Sequence, residues 1–122
     1  MKKIFGMVFG LLLGAVAFGQ SSVVFTDAIA GYDKATAKEF HFDLSGFTLD
    51  QINSSAGYYT SYFTVKATEA GGKTAVVIAL VDDSEMARRV ISRFFVSLEV
   101  AEISASGANY AVLDFVDKWV MI

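Results

Sequence analysis

Glu39, His41 and Asp43 combine titratable side chains with a spacing that could support chemistry. Alternate residues of an extended chain share one face, so the three project together, with about 7 Å between His41 and Asp43. One imidazole and two carboxylates are ligands for zinc or a harder divalent cation. Zinc takes three or four protein ligands, so the set needs donors from elsewhere; without them it is the polar face of a strand. His41 is the only histidine of the chain, and it has no nucleophile beside it in sequence. A G-x-S-x-G elbow is missing as well, which argues against Ser-His-Asp hydrolysis. Asp82, Asp83 and Glu85 head a helical pattern, where acidic residues cap backbone N–H groups. Gly71-Gly72 leads into a strand pattern, not a helix N-terminus, so it is no phosphate loop. The sequence therefore predicts no catalytic residue, no cofactor and no enzyme. Tyr58, Tyr59 and Tyr62, next to Phe63, form an aromatic cluster suited to packing or to recognition of a partner.

Several elements must position these residues. "KEFHFDL" alternates, with Phe40, Phe42 and Leu44 on one face and Glu39, His41 and Asp43 on the other, which predicts a half-buried strand. Thr48 and Gln51 form a capping box, with Phe47 and Ile52 placed as a hydrophobic staple, and Gly57 marks the end of a short helix. "YFTVKATEAGGKTAVVIALV" predicts a hairpin turning at the two glycines, its second arm apolar on both faces. A second helix starts at Asp82 or Asp83, burying Met86, Val90, Ile91 and Phe94 and leaving Arg88, Arg89 and Arg93 outside. A short strand ends at Gly107. From Asn109, the recurrence of Ala111, Val112, Phe115, Val116, Trp119 and Val120 predicts an amphipathic helix anchored by Trp119. This order predicts an α+β fold, a ferredoxin-like βαββαβ sandwich with an added C-terminal helix. The open sheet face should have an apolar centre, covered by the N-terminal arm, the last helix or a second molecule.

Between the first strand and first helix lies "LSGFTLDQI". The run from Glu39 to Gly107 resembles the heavy-metal-associated domain family in element order, lengths and the position of this loop. In that family the loop carries a Gly, a Met and two Cys separated by two residues. Here Gly46 and Phe47 take the Gly and Met positions, and Leu49 and Ile52 take those of the two cysteines. The resemblance implies the fold. It does not bring metal transfer with it, because Leu and Ile donate nothing where the family has thiolates. The plainer reading needs no ancestry and takes Leu49 and Ile52 as the first core residues of a capped helix.

The N-terminus has the layout of a secretory signal peptide: Lys2 and Lys3, an uncharged apolar run from Ile4 to Ala17, and small residues before Gln20. The run is shorter than the roughly 20 residues of a membrane-spanning helix. The expected organisation is a signal peptide at 1–19, an N-terminal arm at 20–37 and one domain at 38–122. Cleavage removes two lysines and takes the formal charge from −3 to −5. An acidic surface argues against nucleic acid as a partner. With no cysteine in the chain there is neither a lipoprotein anchor nor a disulfide, and stability must come from packing. The expectation is a small bacterial interaction module, exported to the periplasm or beyond, that binds a protein partner or itself and does not remain in the membrane after cleavage. The alternative is periplasmic copper or zinc handling by noncysteine ligands around His41.

Overall fold

Strand β1, Ser22–Phe25, turns Val23 and Phe25 into the core and Ser22 and Val24 outward. The computed structural model describes residues 22–122; the expected signal peptide lies outside them. Strand β2 follows at Glu39–Ser45, with Phe40, Phe42 and Leu44 buried as its alternation requires. Helix α1, Leu49–Ala56, begins with the predicted capping box: Thr48 accepts from the Gln51 N–H, and the Gln51 amide oxygen accepts from the Thr48 N–H. Phe47 and Ile52 are both buried, as a staple requires. Gly57 caps the helix in a right-handed conformation and continues into a 3-10 turn, Gly57–Tyr59.

Strands β3, Phe63–Ala70, and β4, Lys73–Leu80, form the expected hairpin. Its two-residue turn is Gly71-Gly72, both at positive φ, which glycine adopts without a steric penalty. Helix α2, Glu85–Ser97, is capped by Ser84, whose hydroxyl accepts from the Ala87 N–H. The expected cap, Asp82 or Asp83, is thereby corrected: Asp83 is occupied by cations, described below. Met86 is exposed and Arg88 buried, the reverse of the expectation for both.

After α2 the chain forms a second hairpin, β5 at Glu102–Ala105 and β6 at Ala108–Ala111, before helix α3 at Val112–Trp119. Asn109 thus lies in a strand and not at a helix start. Ser106 and Gly107 both have positive φ, which turns the chain back on itself within two residues. Val112, Phe115, Val116 and Val120 of the predicted stripe are buried; Ala111 is exposed and Trp119 half-buried.

The six strands run in the order β3-β4-β2-β1-β5-β6. Residues 20–37, read from the sequence as an arm, therefore supply an interior strand. β1 pairs antiparallel with β2 (Val24 opposite Asp43) and parallel with β5 (Val24 opposite Ser104). A simple βαββαβ sandwich would set β5 directly beside β2, so the sheet departs from the expected topology at this point. Among the described residues the molecule is a mixed α+β protein of one six-stranded sheet and three α-helices.

The helices share one side of the sheet. Phe25 and Phe42 pack against Phe115 of α3 at 5.1 and 5.9 Å between ring centroids, and Phe42 meets Phe95 of α2 at 4.9 Å. Phe63 packs on Phe94 of α2 at 6.1 Å, and Ile52 of α1 joins the same core. This aromatic packing, without any disulfide, is what holds the domain together. Among the described residues, no helix is long and apolar enough to cross a membrane.

Candidate functional site

Strand alternation sends one set of side chains to the helices and the other to the opposite face, which no helix among the described residues covers. Register places Thr68, Ala75, Asp43, Val24, Ser104 and Asn109 in one row across all six strands. The adjacent row holds Lys66, Val77 and His41, and the next Thr64, Ala79 and Glu39. At the centre of this face lie Ala75, Val77, Ala79 and Val24, the last 41% exposed. The apolar centre predicted from the sequence is therefore present. Among the described residues neither expected intramolecular cover reaches it: Ser22–Phe25 lies inside the sheet and α3 on the other side.

His41 is held from a residue the sequence reading did not single out. Asp27, just after β1, accepts from the His41 backbone N–H at 2.8 Å and contacts its Nδ1 at 2.9 Å. Thr26 extends the pairing beyond β1, donating its N–H to the His41 carbonyl at 2.9 Å. The other ring nitrogen, Nε2, faces the Glu39 carboxylate at 3.7 Å, too long for a hydrogen bond. Asp43 shares the face but makes no contact with His41. Among the described residues, no group of three His, Asp or Glu side chains converges as a metal site. The histidine has two carboxylate neighbours, Asp27 and Glu39, on opposite edges of its ring.

The three tyrosines do not form one surface. Tyr58 is 82% exposed. Tyr59 stacks on Phe63 at 5.8 Å and donates its hydroxyl to the Arg93 carbonyl at 3.3 Å. Tyr62 is half-buried against the core. Of the two aliphatic loop positions, Ile52 is fully buried whereas Leu49 is half-exposed at the helix edge.

The principal buried polar group is Arg88. At 1% exposure it donates from Nε to Asp83 Oδ1 at 2.8 Å and from Nη2 to Asp83 Oδ2 at 3.2 Å. The remaining donors reach the carbonyls of Lys34 (2.8 Å), Val120 (2.7 Å) and Ala37 (2.8 Å). All five guanidinium N–H groups are thereby used, and the group lies over the Phe40 ring at 5.6 Å. Lys38 adds a second cation to Asp83 at 2.7 Å. Hydrogen bonds from Arg88, then Lys38, hold the Asp83 carboxyl well below the usual carboxylate range. Nearby, the Tyr32 hydroxyl donates to the Trp119 carbonyl at 2.7 Å, and burial pushes its pKa up to about 12. These groups tie the loop from β1 to β2 onto α2 and the end of α3. The donors of the Arg88 guanidinium and the Tyr32 hydroxyl are committed to the protein itself, and Trp119 Nε1 is buried without a partner; this cluster is read as structural, which leaves the open face as the candidate site.

No family model, curated protein or solved structure matches the chain.

Proposed function

We propose that the protein is a small exported, non-catalytic interaction module that uses its open sheet face to bind a protein partner or a second copy of itself. The observation that carries this reading is the placement of the three described α-helices on one side of the sheet, which leaves Val24 and Ala75 exposed and Val77 and Ala79 half-exposed on the other. An apolar centre rimmed by Glu39, Asp43, Thr64 and Lys66 has the composition of a docking surface with a polar border. Without β1 and β6, the strand order reduces to β3-β4-β2-β5, and this reading takes the domain as a ferredoxin-like sandwich with a strand inserted at its middle. The likeness of the "LSGFTLDQI" loop to heavy-metal-associated domains supports that architecture and nothing about metal transfer. Export rests on the leader-like residues 1–19.

The test is a bulky charge at the centre of the face. Val77→Arg points into solvent and should leave thermal unfolding unchanged while abolishing association measured by light scattering, or co-purification of the native partner after crosslinking in the producing cell. If wild type is monomeric and its crosslinked products are identical to those of Val77→Arg, the proposal fails.

A further inference from the structure

We propose that Glu39 and His41 are half of a site for a zinc-class divalent cation, completed by the same two residues of a second copy apposed through the open sheet face. The inference rests on the proposed use of that face and names what would join the two copies.

Three observations converge on it. The first is the orientation of the ring. Asp27 grips the His41 backbone N–H and Nδ1 together, so a neutral ring keeps its proton on Nδ1 and presents the Nε2 lone pair to solvent. A carboxylate behind the imidazole is the usual outer partner of a metal-ligating histidine; it fixes the tautomer and raises the basicity of the donor nitrogen. The second is the gap between the two donors. Nε2 and Glu39 Oε1 are 3.7 Å apart, beyond hydrogen-bond length. Two donors each about 2.0–2.1 Å from a tetrahedral zinc ion are separated by about 3.3–3.4 Å. A small rotation of the Glu39 side chain, 59% exposed, closes the difference.

The third observation is the ligand count. Among the described residues, one chain offers no third ligand, because Asp27 is engaged at the opposite ring nitrogen and Asp43 stands away along the strand. A structural zinc ion needs four donors. A second copy supplies the missing imidazole and carboxylate, giving two nitrogens and two oxygens. The small side chains of Ala75, Val77 and Ala79 beside His41 let a second sheet approach to the usual separation of about 10 Å, which a His–metal–His bridge can cross. Apposed copies bring the Glu39 and Asp43 carboxylates of each toward the other, a repulsion that opposes association without a cation and that a bound divalent ion offsets.

The experiment uses protein freed of metal with EDTA and then titrated with zinc chloride alone, read by calorimetry and light scattering. The expected result is one zinc ion per two chains, a dimer that forms with zinc and disperses with EDTA. Cobalt in place of zinc should give the visible absorption of a tetrahedral site. Glu39→Gln and His41→Gln should each lower zinc affinity more than tenfold, and Asp27→Asn, which leaves both ligands in place, by 10- to 100-fold. A monomer binding one zinc per chain, no binding at all, or affinity unchanged in Glu39→Gln and His41→Gln would overturn the proposal. Association that ignores EDTA but is lost in Val77→Arg overturns the metal bridge and leaves the open-face reading standing. Association that survives Val77→Arg removes the face itself.

Discussion

Arg88→Met tests the claim that one buried guanidinium fastens the loop from β1 to β2 and the end of α3 onto α2. Methionine approximates the length and volume of the side chain, so the change removes charge and donors more than packing. It strands the carbonyls of Lys34, Ala37 and Val120, which Arg88 satisfies at 2.7–2.8 Å, while Asp83 keeps water and Lys38. Leaving a buried carbonyl without its donor costs about 1–3 kcal/mol. In a domain of this size each kcal/mol corresponds to about 4–8 °C in Tm, so the variant should melt at least about 4 °C lower. Urea unfolding followed by far-UV circular dichroism should show a lower midpoint with an unchanged slope. Acid supplies a second readout. Because Arg88 and Lys38 depress the Asp83 pKa, its stabilising contribution is fully present above the ordinary carboxylate value of about 4. It is lost as pH falls through the lower folded value. Wild type should therefore lose stability on acidification below about pH 4, and Arg88→Met should lose less over the same range. An Arg88→Met protein within about 1 kcal/mol of wild type would refute the reasoning, since five bonds of that geometry would then be contributing almost nothing.

Two further outcomes follow from local geometry. Tyr32 titrates near pH 12 because it is buried, so its contribution is intact below its ordinary value of about 10 and is lost as pH rises through about 12. Tyr32→Phe should remove the last phase of the tyrosinate absorbance titration and flatten the fall in stability between those values. Thr48→Ala removes the hydroxyl half of the capping box and should cost about 1 kcal/mol, read as a drop in Tm of about 4–8 °C.

Much of the fold was legible because it is written locally. Period-two alternation fixed β2 and β3, the Thr48–Gln51 pair fixed the start of α1, and Gly71-Gly72 fixed a turn. The failures have specific physical causes. β1 is four residues long, too short to display a period, and its place between β2 and β5 depends on partners far away in sequence. The β5–β6 turn was missed because Ser106 adopts a positive φ that its residue type does not announce. Arg88 was assigned to solvent by its charge, although its position, three residues before Ile91 and seven before Phe95, lies on the buried stripe of α2. Periodicity outweighed residue type there. At the open face, Glu39, His41 and Asp43 could be placed together from alternation alone. Asp27 could not, because its contact with His41 exists only once β1 has paired with β2.

The position of β1 divides labour in the sheet unevenly. Among the described residues, β3, β4 and β2 form one continuous ladder, β5 and β6 another, and β1 is the one strand that hydrogen-bonds to both. Here Ser22–Phe25 is a keystone: if those few residues leave, the sheet falls into two separate pieces, the Thr26–Asp27 extension leaves with them, and His41 loses the carboxylate that orients it. The shape of the open face and the state of its histidine thus depend on the same short segment, so this surface is intact only while the whole sheet is.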